Sequence, residues 1–168
     1  MSHLSLRDAT NADLPTVLAV LQAAFAEYRG RLDPPSGVHQ ETVESLRAQM
    51  TSACIVLALL DDTVVGCVLY RPENDHVYLG RLAVLPAYRN RGIATALTAA
   101  VEQRARARGI PRVRLGVRVA LPHLRAWYER LGYRLLEERR HEGYVEPTYL
   151  LLEKMLEETS RPVGTELR

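Results

Sequence analysis

Cysteine is scarce in this chain, and its scarcity argues against two ways of stabilising a small protein. Among 168 residues only Cys54 and Cys67 occur, each within an apolar, β-prone run. Both are therefore predicted to be reduced core residues rather than a disulfide pair or a catalytic thiol. Neither has a histidine close by in the sequence, so no zinc-binding pattern is formed. Stability must come from a hydrophobic core, which a chain of this length can form.

Long apolar runs and a strong net charge are also missing. No run approaches the roughly 20 residues that a membrane-spanning helix needs, and residues 1–10 are too polar for a signal peptide. Lysine plus arginine, 22 residues, nearly balance aspartate plus glutamate, 20 residues, which gives little support for nucleic-acid binding. We therefore predict a cytoplasmic protein with no membrane and no nucleic-acid partner.

The order of apolar patterns predicts a mixed α/β fold. Apolar residues at helical spacing predict helices at 12–28, 41–50, 93–108 and 122–131. β-prone runs predict strands at 3–7, 53–60, 63–71, 76–84, 113–119, 133–140 and 148–155. Short turns make the second to fourth strands an antiparallel meander, and the long helix that follows makes the next strand parallel to the fourth. We predict one domain over residues 1–156 and a polar tail at 157–168.

The most informative stretch is LAVLPAYRNRGIATAL, residues 82–97. An apolar strand end passes through a proline into a loop, and Gly92 precedes an amphipathic helix. The first N–H groups of a helix have no partner within it and lie at the positive end of its dipole, so they bind anions. Arg89 and Arg91 add charge, and Gly92 and Ala94 leave room for close approach. The junction therefore predicts a diphosphate-binding loop.

Two common phosphate-binding loops do not fit this stretch. There is no Gly-x-x-x-x-Gly-Lys-Ser/Thr, and a Rossmann fingerprint requires glycine where Arg89 stands. The pattern that remains runs from Val84 through Arg89 and Gly92 to Ala94. It resembles the Val-x-Pro-x-x-Arg/Gln-x-x-Gly-x-Gly/Ala motif of the GNAT N-acetyltransferase superfamily, in the strand–loop–helix context that such a motif requires.

A second motif of that superfamily is similar to LPHLRAWYERLGY, residues 121–133. Its pattern, Asn-x-x-Ala-x-x-x-Tyr-x-x-x-Gly-Phe/Tyr, is matched at Tyr128, Gly132 and Tyr133, whereas Leu121 and Leu124 replace the Asn and Ala. The resemblance implies a mixed, mostly antiparallel sheet of about seven strands flanked by about four helices. It also implies transfer of the acetyl group of acetyl-CoA directly to a primary amine of a small molecule or peptide.

The resemblance implies where the coenzyme binds. The strand ending near Val84 and the strand after the long helix would part into a V-shaped slot, in which pantetheine pairs with the exposed strand edge. A strand N–H near Leu82 or Ala83 would polarise the acetyl carbonyl. The coenzyme-binding residues would be Leu82, Ala83, Val84, Arg89, Asn90, Arg91, Gly92, Ile93, Ala94 and Thr95.

The resemblance makes Tyr128 the general acid for the leaving thiolate; the alternative is a half-buried core aromatic. A general base is harder to assign, because the two positions where family members carry a glutamate are Tyr78 and Gly116. Strand alternation places His76, Tyr78, Gly80 and Leu82 on one face, so His76 or Tyr78 is expected to relay the proton through water. Glu27 or His123 are alternatives from outside that strand, and an acceptor of low pKa would reduce the need for a base.

The first two helices and their connecting loop would line the acceptor side. By resemblance the candidate substrate contacts are Glu27, Tyr28, Arg29, Arg31 and Asp33; a solvated loop is the alternative. Two other readings remain open: a CoA-binding sensor or regulatory module without transfer activity, and a partner-binding domain unrelated to CoA. The family also allows a homodimer, formed through an exposed edge strand near the C-terminus.

Overall fold

A seven-stranded sheet organises residues 3–157, the part of the chain that the computed structural model describes. Its strands are β1 (Leu4–Asp8), β2 (Cys54–Leu60), β3 (Thr63–Pro72), β4 (Val77–Val84), β5 (Arg112–Arg118), β6 (Arg134–Arg139) and β7 (Tyr149–Met155). Their order is β1-β2-β3-β4-β5-β7-β6, and every neighbouring pair is antiparallel except β4 with β5. The predicted meander and the parallel crossover are both confirmed.

Four α-helices connect and cover these strands: α1 (Leu14–Phe25), α2 (Val43–Gln49), α3 (Ile93–Ala107) and α4 (Pro122–Arg130). Short 3-10 helices lie at Asn11–Asp13, Ala26–Tyr28, Gly37–Gln40 and Pro86–Tyr88. The helix predicted over 12–28 is therefore α1 with a 3-10 turn at each end. Pro15 lies in the first turn of α1, where its missing N–H costs no hydrogen bond and its fixed φ favours the helix.

The sheet separates two hydrophobic cores. Helices α3 and α4 pack on one side, called here the α3 face, over Val77, Leu79, Val113, Leu115, Val117, Leu150 and Leu152. Helices α1 and α2 pack on the other side, the α1 face, over Ile55, Leu57, Cys67 and Leu69. Because successive side chains of a strand alternate, Arg114, Gly116 and Arg118 of β5 lie on the α1 face.

A bulge in β4 corrects one prediction. Leu69 is opposite Gly80 whereas Cys67 is opposite Ala83, so β4 carries an extra residue, and Arg81 has a φ of +52°. The bulge reverses the alternation, and Leu82 packs against the core of the α3 face. The expectation that Leu82 shares a face with His76, Tyr78 and Gly80 is therefore wrong.

Strands β4 and β5 separate soon after they meet. They pair only from Val77 opposite Val113 to Leu79 opposite Leu115, although β4 continues to Val84 and β5 to Arg118. Beyond Leu79 the edge of β4 that faces β5 has no strand partner among the described residues, 3–157. This opening is the V-shaped slot that the sequence resemblance implies.

A buried polar network fixes α3 to the C-terminal strand. The hydroxyl of Tyr133, which is fully buried, donates to Glu102 Oε2 at 2.9 Å, and Lys154 Nζ lies 3.0 Å from Glu102 Oε1. Burial and the neighbouring Glu102 carboxylate raise the pKa of Tyr133, so the phenol stays protonated. The carboxylate thus satisfies two donors inside the core.

Removing this carboxylate is expected to destabilise the protein. Glu102→Ala leaves Tyr133 and Lys154 without their acceptor, and we expect the free energy of unfolding in urea to fall by about 2–4 kcal/mol. Glu129→Ala is the control: its ion pair with Arg125 is 3.6 Å long and exposed, so the loss should stay below about 0.5 kcal/mol. Equal losses in the two variants would show that the network adds no stability.

Residues near the C-terminus carry two further predictions, a polar tail and a homodimer formed through an edge strand. Of the predicted tail, 157–168, only Glu157 lies within the described residues. Every residue of β6 is exposed, so this edge strand is available for pairing, and the homodimer stays a prediction. Within residues 3–157, no helix combines the length and apolar character needed to span a membrane.

Candidate active site

A cleft of about 1590 Å³ surrounds the opening between β4 and β5. Its volume exceeds the roughly 300–1,000 Å³ of an ordinary small-molecule site, so it has room for two substrates. All the predicted catalytic, coenzyme-binding and substrate-binding residues line it except Arg91, Arg29 and Asp33. The Arg91 guanidinium instead lies over the Tyr88 ring, 5.3 Å from its centroid.

The predicted anion-binding loop has the expected backbone geometry. Gly92 is the N-cap of α3 with a φ of +78°, and in the part of the chain that the structure describes no side chain caps the helix. The first intrahelical hydrogen bond runs from the Ala96 N–H to the Gly92 carbonyl, at 3.0 Å. The N–H groups of Ile93, Ala94 and Thr95 therefore precede the helical ladder and are free to bind an anion. A Cβ added at Gly92 would meet no atom within 4 Å, so the backbone faces open space there.

Arg89 does not supply the free charge that the sequence suggested. Its guanidinium lies 2.8 Å from Glu27 Oε1 and donates to the Ala24 carbonyl at 2.9 Å. The side chain thus ties the loop to the end of α1 and neutralises Glu27. Anion binding in this loop consequently depends on backbone N–H groups more than on Arg89.

Tyr128 lies where the slot meets α4. It is 7% exposed, lines the cleft and packs edge-on against Trp127 and Tyr133, with ring centroids 4.8 and 5.7 Å away. Burial, helped by the nearby Tyr78, raises the pKa of Tyr128 above its ordinary value. Its phenol is therefore protonated at neutral pH and can donate a hydrogen bond into the cleft.

The two predicted proton relays occupy the α1-face side of β4. Tyr78 lies under the Arg71 guanidinium, 4.9 Å from its ring centroid. Gly80 makes this position possible, because a Cβ there would lie 2.8 Å from Cε1 of Tyr78. His76 lies just before β4, and its Nδ1 is 2.8 Å from Asp75 Oδ1. Both side chains line the cleft.

Sequence reasoning missed the ion pair that supports the bulge. Arg81 Nε lies 2.9 Å from Glu41 Oε2, and the Glu41 side chain is only 4% exposed. Ser45 and Gln49 also donate to this carboxylate. Burial opposes ionisation of Glu41, but these hydrogen bonds and Arg81 outweigh it and hold its pKa below the ordinary value. The pair anchors the acceptor-side helices to β4.

The Glu41 carboxylate should make stability depend on pH. Because its folded-state pKa is lowered, its contribution is complete above the unfolded pKa of about 4.3 and is lost as the pH falls through the folded value. We expect Glu41→Gln to lower the free energy of unfolding by about 1–2 kcal/mol at pH 7, and the gap to the wild type to narrow below about pH 4. Urea unfolding at several pH values measures this difference in unfolding free energy. A difference that does not depend on pH would contradict the role assigned to the Glu41 carboxylate.

A second missed group lies on the α1 face of β5 and β7. Arg118 is opposite Tyr149 in the strand register, and the His141 ring lies 5.0 Å from the Tyr149 ring. Burial and the charge of Arg118 lower the pKa of His141, which favours its neutral form. The chain near His141 has no periodic pattern, so only the strand order β5-β7-β6 reveals that it reaches the cleft. The Tyr149 ring also lies next to Gly116, where a Cβ would be 3.6 Å away.

No thiolate nucleophile is available at the bulge. Cys67 is fully buried, and burial raises its pKa to about 12. Cys54 is also a free thiol, as predicted. Among residues 3–157 no group of three or more His, Cys, Asp or Glu side chains could hold a metal ion. The chemical groups that line the cleft include arginines, tyrosines, histidines and the carboxylates of Glu27 and Glu142.

A family model and several solved structures match this chain. The model of the acetyltransferase (GNAT) family matches residues 18–133. The fold is similar to the PaiA N-acetyltransferase of Thermoplasma acidophilum, solved in complex with coenzyme A: the TM-score is 0.76 at 20% identity, over 91% of this chain and 99% of that one.

Two further structures show the same fold. The ribosomal-protein-S18-alanine N-acetyltransferase of Escherichia coli has a TM-score of 0.76 at 18% identity, over 99% of both chains. A GNAT family acetyltransferase from Elizabethkingia anophelis, with acetyl-CoA bound, has a TM-score of 0.69 at 20% identity, over 91% of this chain and 98% of that one. Because the family match covers well over half of the sequence, this chain belongs to the acetyltransferase (GNAT) family.

Proposed function

We propose that this protein is an N-acetyltransferase that transfers the acetyl group of acetyl-CoA directly to a primary amine of a small molecule or peptide. The observation that carries the proposal is the meeting of three features in one cleft: the unpaired edge of β4, the open N-terminus of α3 and the phenol of Tyr128. Acetyl-CoA is the co-substrate of the family.

The coenzyme site uses mainly backbone groups. The N–H groups from Asn90 to Thr95 bind the diphosphate at the positive end of α3. Pantetheine pairs with the edge of β4 from Leu82 to Val84, as an added strand would. The missing Asn of the second motif, Leu121, removes one side-chain contact, and the backbone contacts do not depend on it.

The reaction forms an N–C bond between the amine and the acetyl carbonyl carbon and breaks the C–S bond. An N–H of β4 near Leu82 or Ala83 donates to the carbonyl oxygen as negative charge develops on it. Tyr128 donates to the departing sulfur. Because the raised pKa of Tyr128 exceeds that of a thiol, near 8.5, Tyr128 stabilises the thiolate more than it protonates it. The proton lost by the amine can then protonate the thiolate, which gives the free thiol of CoA.

The amine must be neutral before it attacks. An alkyl amine with a pKa near 10.4 is neutral in only about one molecule per thousand at pH 7, so we assign His76 and Tyr78 as the relay that takes its proton through water. Both lie on the α1-face side of β4, which separates the relay from α3. Glu27, Tyr28 and Arg31 line the same side of the cleft and are proposed as acceptor contacts.

A thiol-release assay with a mixed amine panel tests the proposal. The enzyme should release one thiol for each acetylated amine, which mass spectrometry of the acceptor confirms. The missing glutamates at Tyr78 and Gly116 favour a second candidate, a CoA-binding sensor without transfer activity. Tight acetyl-CoA binding with no turnover across the panel would favour the sensor and contradict the enzyme.

A further inference from the structure

The arginines that line the cleft fall into two groups. Five are held by carboxylates: Arg71 by Glu73, Arg81 by Glu41, Arg89 by Glu27, Arg114 by Glu153 and Arg139 by Glu137, at 2.6 to 3.2 Å. Arg31, Arg118, Arg130 and Arg140 also line the cleft, but within residues 3–157 none of them forms an ion pair. Arg130 ends α4, the helix that packs on the α3 face. The other three, Arg31, Arg118 and Arg140, are called here the open arginines.

The open arginines lie around one part of the cleft. Arg118, at the end of β5, donates to the Pro35 carbonyl at 3.2 Å, which places it against the loop that carries Arg31. Arg140 is on the loop between β6 and β7, where it donates to the Val145 carbonyl at 3.2 Å. The two loops are joined by a hydrogen bond from the Tyr144 hydroxyl to the Asp33 carboxylate. Arg118 therefore lies between two loops that contact each other.

This part of the cleft is not where the coenzyme diphosphate binds. Helix α3 packs on the face of the sheet that carries Val113, Leu115 and Val117. Arg118 alternates with these residues and lies on the opposite face. The phosphate loop at the start of α3 and the open arginines are thus on different faces of the sheet, so the coenzyme does not account for their charge.

The surroundings of Arg118 favour an anionic partner. Its side chain is half-buried beside Tyr149, and burial lowers the pKa of its guanidinium, with Tyr144 and Asp33 opposing the shift. A carbonyl accepts one of its N–H groups, which leaves most of the planar donor fork unused. A half-buried guanidinium gains most from a bidentate carboxylate or phosphate.

From these contacts we propose that the amine acceptor carries an anionic group, a carboxylate or a phosphate, which Arg118 binds between the two loops with Arg31 and Arg140 at the rim. The aromatic rings of Tyr149 and His141 form the adjoining wall. The inference rests on the proposed acetyl transfer and specifies its substrate class. Neutral amines and polyamines are poor substrates on this account.

Matched pairs of acceptors test the inference on the full-length protein at saturating acetyl-CoA. Each of several amino acids is compared with its α-amide, and ethanolamine with O-phosphoethanolamine, so the panel separates a carboxylate from a phosphate. The amide lacks the carboxylate charge and has a less basic amine, so chemistry alone favours it. In at least one pair we expect kcat/KM to be about 10-fold or more higher for the anionic member.

Variants of Arg118 then test whether this residue causes the preference for anionic acceptors. Arg118→Gln should lower kcat/KM for the anionic member by about 10- to 100-fold and leave the neutral member and the KM for acetyl-CoA unchanged. Arg118→Lys keeps the charge and should retain part of the preference. Arg134→Gln is the matched control, because Arg134 also donates to backbone carbonyls but does not line the cleft.

The outcomes separate this inference from the proposed function. If kcat/KM for the neutral member equals or exceeds that for the anionic member in every pair, the proposal of an anionic acceptor is overturned, but acetyl transfer still stands. If Arg118→Gln lowers kcat/KM equally for both members of a pair, Arg118 has a structural role instead. The same conclusion follows if thermal melting shows that neither Arg118 variant folds. Absence of turnover with every amine, polyamines included, would contradict the proposed function itself.

Discussion

Gly92→Asp should weaken the binding of acetyl-CoA by about 100-fold or more, which corresponds to about 2.8 kcal/mol. Gly92 is the N-cap of α3, where aspartate is a favoured residue because its carboxylate accepts from the first N–H groups of the helix. These are the groups that we assign to the diphosphate. The new carboxylate would therefore compete for the same donors and repel the phosphates. Calorimetric titration of the variant with acetyl-CoA measures the change.

The chain provides a matched control for this substitution. Gly109 has a φ of +71°, close to the +78° of Gly92, and a Cβ at either position would meet nothing within 4 Å. Gly109→Asp therefore imposes a similar backbone strain, of about 1–2 kcal/mol, beyond the C-terminal end of α3. Its affinity for acetyl-CoA should stay within about twofold of the wild type. Equal affinities in both variants would remove the diphosphate assignment.

Tyr128→Phe should reduce kcat by about 100-fold or more, because it removes the hydrogen bond that stabilises the departing thiolate. Phenylalanine keeps the ring that packs against Trp127 and Tyr133 and removes only the hydroxyl, which we assign to the departing sulfur. The KM for acetyl-CoA should therefore change little, because the interaction is made with the departing sulfur. Steady-state kinetics with the best amine of the panel measure both parameters.

Tyr133→Phe separates this effect from a general loss of packing. The two tyrosines are neighbours in the same core, but the Tyr133 hydroxyl donates to Glu102 rather than into the cleft. We expect Tyr133→Phe to lower the free energy of unfolding by about 1–2 kcal/mol and to leave kcat within about threefold of the wild type. If Tyr128→Phe retained full kcat, Tyr128 would be a core aromatic.

Local sequence patterns predict most of the fold and the coenzyme loop. The order of strands follows from apolar periodicity, and the turn at Asp61 and Asp62, both at positive φ, is a two-residue connection that suits a hairpin. The anion loop is predicted because its chemistry lies within residues 82–97. Backbone donors, a glycine and a helix start need no long-range contact to be recognised.

The acceptor side could not be predicted in the same way. The bulge at Arg81 depends on Glu41, 40 residues earlier in the sequence, whose carboxylate holds the guanidinium. The sequence alone suggests that Arg89 is a free cation, but in the folded protein Glu27 lies beside it. Arg118 reaches its loops only through the strand order, and the bond between Tyr144 and Asp33 spans 111 positions. Such contacts leave no periodic signal in a single sequence.

The most direct test of the account is a crystal structure of the protein with coenzyme A bound. We expect the diphosphate on the N–H groups at the start of α3, pantetheine along β4 beyond Leu79, and the sulfur within hydrogen-bond reach of the Tyr128 hydroxyl, at about 3.5 Å or less. A sulfur far from Tyr128, or a diphosphate bound by the open arginines rather than by the helix, would contradict the account.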